Sequence, residues 1–109
     1  MVNDKVRKAI DNYCKENELE ENECPLLLDN PAFDNSIIGI TTDNRLIYDR
    51  NKMVEELSEE FAEDGISEDP EMEAQDFISY DTERAIPYFG EHRPIIIELN
   101  TEELIERYL

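Results

Sequence analysis

The chain has 109 residues, of which 29 are Asp or Glu and 10 are Lys or Arg, giving a formal net charge of −19. That length suits one ordinary domain, and so large an acid excess excludes direct nucleic-acid binding and docking on an anionic membrane, because phosphates would meet like charge almost everywhere. Apolar residues make up 39%, enough for a core, but no apolar run approaches the roughly 20 residues that span a bilayer.

In chain order, Met1-Val2-Asn3-Asp4 shows neither the basic nor the apolar region of a secretory signal, so a cytoplasmic protein is expected. Val6, Ile10, Tyr13 and Cys14 then fall at i, i+4, i+7 and i+8, an apolar stripe that predicts a helix from Asp4 to about Asn17, with Asn3 as its N-cap. Pro25 stops any continuation, Leu26-Leu27-Leu28 reads as a short extended anchor, and Asp29-Asn30-Pro31 is turn chemistry. The β-branched runs Ser36 to Thr42 and Arg45 to Asp49 predict a β-hairpin closed by a two-residue turn at Asp43-Asn44. Such a hairpin is marginal alone and needs a third strand, for which Pro94 to Leu99 is the candidate.

Met53, Leu57 and Phe61, with Val54 beside them, predict a second helix from about Asn51 to Glu63. Asp49 or Asn51 would cap it and Asp64-Gly65 would stop it. Ser67 is the expected cap of a third helix, with Pro70 in its first turn and Met72, Ala74, Phe77 and Ile78 facing inward. A short helical turn from Thr82, ended by Pro87 and Gly90, and a closing helix over Thr101 to Leu109 complete the reading. The expected architecture is a single α+β domain over residues 1–109: a small, mostly antiparallel three-stranded sheet packed with about four helices.

The segments Ser36-Ile37-Ile38-Gly39-Ile40-Thr41, Ile47-Tyr48-Asp49 and Lys52-Met53-Val54-Glu55 resemble the hairpin-to-helix segment of a family of small acidic proteins from Gram-positive bacteria and their phages and mobile elements. The stretch from Glu73 to Gly90, with Phe77-Ile78-Ser79-Tyr80-Asp81-Thr82-Glu83-Arg84-Ala85-Ile86-Pro87-Tyr88-Phe89-Gly90 at its heart, is similar to that family's most distinctive part, and Pro94-Ile95-Ile96-Ile97 follows it. The resemblance covers about residues 36 to 98. It implies a shared fold and a cytoplasmic, phage-linked origin, and it transfers no catalytic residue.

Charge is unevenly placed. No Lys or Arg occurs between Lys52 and Arg84, whereas acids are dense there. The candidate partner-binding set is Glu55, Glu56, Glu59, Glu60, Glu63, Asp64, Glu68, Asp69, Glu71, Glu73 and Asp76. Glu55, Glu59 and Glu63 recur every four residues, as do Glu56 and Glu60, and like charges so spaced weaken a helix by a few tenths of a kcal/mol per pair. Carboxylates one turn apart stand about 6 Å apart along the axis, of the order of the spacing of neighbouring phosphates on a strand. Such a face could occupy the groove of a basic nucleic-acid-binding protein, and by class-level analogy would act as an anti-CRISPR or anti-restriction type inhibitor. The bland alternative is a solubilising face that binds nothing.

Other chemistries are weaker in the sequence. An EF-hand template from Glu60 meets Asp64, Gly65, Glu68 and Glu71, but Ala62 cannot coordinate and Pro70 disturbs the exit helix. Tyr80, Arg84, Tyr88 and His92 recur every four residues, which would line a cleft only on a continuous helix, and Pro87 and Gly90 argue against one. The plainer expectation makes Tyr80 and Tyr88 core-edge residues and pairs Arg84 with Asp81 or another acid. With no nucleophile beside a base, no enzyme is expected, and an adaptor that binds through the Tyr80 to Tyr88 region is the alternative function. His92 is the sole histidine, which removes most zinc and Ser-His-Asp arrangements. Cys14 and Cys24 are expected as two free, semi-buried thiols in a reducing compartment. No cofactor or metal is expected.

Overall fold

The computed structural model describes residues 4–65 and 68–98. Helix α1 spans Asp4–Glu16, followed after a loop by a 3-10 turn over Pro31–Ser36 and a hairpin of β1 (Ile37–Ile40) and β2 (Leu46–Asp49). Helix α2 (Arg50–Asp64) leads to α3 (Pro70–Phe77), which continues through a π-helical segment (Ile78–Thr82), the single turn α4 (Glu83–Ala85) and a 3-10 turn (Ile86–Tyr88) before β3 (Ile95–Ile97). The α+β class is as expected. The sheet order is β1-β2-β3, with β1–β2 antiparallel and β2–β3 parallel. A parallel neighbour requires a crossover rather than a tight turn, and α2 and α3 form that connection. The proposed helix over Thr101–Leu109, Leu99 of the proposed strand, and the caps Asn3 and Ser67 lie outside the described residues.

Local signals explain the element ends. The Asp49 carboxylate accepts hydrogen bonds from the Asn51 and Lys52 N–H groups at 3.0 and 3.4 Å, capping α2 as Asp does best. At its other end Gly65 takes a left-handed φ of 68°, the conformation that the absent side chain permits. Helix α3 is capped by Asp69, whose carboxylate accepts the Met72 N–H at 3.2 Å. Its buried stripe is Ala74 and Ile78, one turn apart, so Met72 points out and is 58% exposed, contrary to the expected inward face.

The hairpin differs from the expected two-residue turn. The Thr41 N–H donates to the Arg45 carbonyl at 2.9 Å and the Asn44 N–H to the Thr41 carbonyl at 3.1 Å. Three residues, 42–44, therefore lie between the last paired residues, with Asn44 at φ 63°. Three-residue loops need one left-handed residue at this point, and Asn tolerates it. The register also shifts between Ile37 and Gly39, so Ile38 is the extra residue of a bulge and is 51% exposed.

The core joins Leu28, Phe33, Leu46, Tyr48, Met53, Val54, Leu57, Ala74 and Ile78. Tyr48 is wholly buried, and its hydroxyl oxygen accepts the Leu28 N–H at 3.0 Å, fixing the extended anchor onto β2. Leu26, by contrast, is 40% exposed. Among the described residues no helix is long and apolar enough to cross a membrane.

Candidate functional site

Helix α2 is seated by Met53, Val54 and Leu57, all buried, and by Phe61, whose ring meets Phe77 of α3 edge-on with centroids 6.4 Å apart. With that face inward, a period of 3.6 residues turns Glu55, Glu59, Glu60 and Glu63 toward solvent and leaves Glu56 half-buried. They do not share one surface. Glu56, Glu59, Glu60 and Glu63 form one wall of a groove of about 320 Å³, opposite Asn30, Pro31, Ala32 and Asn35. Glu55 lies on the other flank, in a cleft of about 440 Å³ between α2 and α3 that also holds Glu71, Gln75 and Glu98. Glu73 and Asp76 are exposed on α3 and line neither cavity. Asp64 and Glu68 are exposed near the α2–α3 junction, and the Asp69 side chain caps α3.

Neutralisation is partial and local. The Lys52 ammonium stands 3.7 Å from the Glu55 carboxylate and 3.4 Å from that of Glu56. Glu55 first, and then Glu56, raise the Lys52 pKa above its ordinary value, so the side chain stays charged at neutral pH. Exposed pairs of this kind contribute little energy, but they remove two of the eleven candidates from the free acidic set. Among the described residues, Glu59, Glu60 and Glu63 have no ion-pair partner. On the groove-facing flank of α2, the acids left without an ion pair are therefore Glu59, Glu60 and Glu63.

Sequence reasoning missed polar links elsewhere in the fold. Arg50, at the start of α2, donates through Nε to Glu83 at 2.7 Å and through Nη2 to Ser79 at 2.9 Å. Ser79 belongs to the π-helical segment, so the widened turn and the N-terminus of α2 are tied together. The Arg84 guanidinium lies 5.6 Å from the centre of the Tyr80 ring, a cation–π contact instead of the expected acid pair. Tyr80 and Tyr88 are 64% and 89% exposed, well outside the core edge proposed for them. His92 does not complete a four-residue row: its Nδ1 is 3.1 Å from the Asp43 carbonyl oxygen in the hairpin loop. A pocket of about 180 Å³ lined by Phe33, Phe77 and Phe89, with Asp29 and Asp81 beside it, opens near the exposed tyrosines' segment. The spacing of Tyr80 and Arg84 was a usable signal for their stacking, whereas nothing local pointed to the pocket.

The EF-hand template is not formed, since Glu60, Ala62 and Asp64 are helical residues of α2. Among the described residues no group of three or more His, Cys, Asp or Glu side chains is placed to hold a metal ion. No family model matches the chain, and no curated protein or solved structure matches it.

Proposed function

We propose that this protein is a non-enzymatic acidic binding module that captures a basic nucleic-acid-binding protein through the outer edge of α2. The observation that carries the reading is the row Glu59, Glu60 and Glu63: exposed, unpaired among the described residues, and held on a helix whose other face is locked in the core. A rigid row of carboxylates loses little conformational freedom on binding and presents charge at near-phosphate spacing. The row is narrower than the eleven-residue set, because Lys52 occupies Glu55 and Glu56 and the α3 acids face elsewhere. In this reading the partner's nucleic-acid groove is blocked, an inhibitor's mode of action, and the site uses no cofactor.

Immobilised protein should retain nucleic-acid-binding proteins from a bacterial lysate. Duplex DNA should displace them, and raising NaCl from 50 to 200 mM should reduce retention at least tenfold. The triple variant E59K/E60K/E63K should lose that capture while keeping its melting temperature. Retention that ignores both competitor DNA and the triple variant would sink the proposal.

One observation favours a second reading, an adaptor. Tyr88 is 89% exposed and precedes Phe89, which lines an apolar pocket that also holds Asp29 and Asp81, a setting that suits a partner segment with an apolar anchor and basic flanks. In that case Tyr88→Ala removes capture and the triple lysine variant does not.

A further inference from the structure

The end of α1 reverses in a way that brings two cysteines ten residues apart to one cleft. The Leu19 N–H donates to the Cys14 carbonyl at 2.9 Å and the Glu18 N–H to the Lys15 carbonyl at 3.2 Å, with Glu18 at φ 53°. This is a Schellman end to the helix, with a left-handed residue sending the chain back along its own flank. A second turn follows, in which the Glu23 and Cys24 N–H groups both donate to the Glu20 carbonyl, at 2.9 and 3.2 Å. The two reversals return Cys24 to the flank of α1 that carries Cys14, where both face one cleft. Both are free thiols, and both line one open cleft of about 480 Å³ with Lys8, Asp11, Glu21 and Leu27.

We propose that Cys14 and Cys24 form a reversible dithiol–disulfide couple, a modification site oxidised by small disulfides through thiol–disulfide exchange. Cys24 is the half-exposed member and Cys14 is buried at 8% exposure. Burial, and then the neighbouring Cys24, push the Cys14 thiol up to about 11, so Cys14 is a poor first nucleophile at neutral pH. Cys24 therefore attacks first: its thiolate breaks the S–S bond of the oxidant, forms a mixed disulfide and expels one thiolate. Cys14 then attacks the Cys24 sulfur as it loses its proton, closing the intrachain bridge and expelling the second thiolate. The two protein thiols lose two electrons, the small disulfide gains them, and the two protons end on the two released thiols. A bridge between these positions closes a short loop and pins the reversal to α1, which restricts the unfolded chain more than the folded one.

The test treats the full chain with excess 2-hydroxyethyl disulfide at pH 8, a neutral oxidant that the acid excess of the chain does not repel. The expected product is a monomer lighter by two hydrogens, with no free thiol and no adduct. Dithiothreitol should reverse it, and its melting temperature should lie about 5 °C above that of the reduced protein. Cys14→Ser should instead stop at a stable mixed disulfide on Cys24. A wild-type product carrying the hydroxyethyl adduct on Cys24, or a disulfide-linked dimer, would overturn the proposal. So would a bridged monomer that melts no higher than the reduced chain.

Discussion

Helices α1 and α2 are both amphipathic, yet they are held by different physics. Helix α2 buries Met53, Val54 and Leu57 at 0, 8 and 1% exposure, whereas on α1 only Cys14 falls in the buried class among the described residues. Ile10 is only partly buried against the core. What fixes α1 is polar. Arg7 grips the buried Asp34 carboxylate with two hydrogen bonds of 2.8 and 3.3 Å, and the Tyr13 hydroxyl donates to Asn44 at 2.7 Å. An apolar seat is non-directional and scales with area, so it supplies most of the stability of the α2 side. A forked guanidinium–carboxylate pair is directional, so it sets where α1 sits while adding less energy. In a chain this acidic, Asp34 also shows how a carboxylate is admitted to the interior: with a dedicated arginine.

The contrast is open to direct attack. Leu57→Ala should have the largest effect, a loss of about 3 kcal/mol in urea unfolding, with hydrogen exchange accelerating throughout the core. Arg7→Ala should be smaller, about 2 kcal/mol, because it leaves a buried carboxylate without its partner although the arginine side chain is 36% exposed. Its exchange signature should be confined to α1 and the 3-10 turn. Equal acceleration in α2 would mean that the two helices are one cooperative unit. The smallest effect is on pH. Burial pushes the Tyr48 phenol from 10.0 up to about 12. Because the folded state holds this proton more tightly than the unfolded chain, its contribution is complete below pH 10 and is lost as pH rises toward 12. By pH 11 about 1 kcal/mol should be gone, which urea unfolding at pH 9 and pH 11 would measure.

The parts of the fold that were legible in the sequence are those with local causes. Asp49 and Gly65 bracket α2 because a cap and a left-handed stop act within one turn, and the β-branched runs around Gly39 and Tyr48 marked the hairpin. The loop of that hairpin was misjudged by one residue because Asp43-Asn44 suits both lengths, and pairing of Thr41 with Arg45 decides between them. The parallel docking of β3 left no local trace, being a consequence of the helices between. Nor did the links of Arg7 to Asp34, Leu28 to Tyr48 and Arg50 to Glu83, whose partners lie 27, 20 and 33 residues apart. For the candidate site, helical periodicity showed that most of the glutamates are exposed. It did not show how the neighbours of α2 divide them between two flanks, although Lys52 at three and four residues from Glu55 and Glu56 was a readable signal for their neutralisation.

The parallel strand imposes an order of events on the newborn chain. The hairpin needs only its own neighbourhood and can zip within microseconds, but Ile95–Ile97 must wait until the whole helical excursion has been synthesised and folded back. Until then the far edge of Ile47 and Tyr48 is a bare template, open to any strand that passes. A ribosome-stalled fragment ending before Pro94 should therefore be sticky where the finished protein is not.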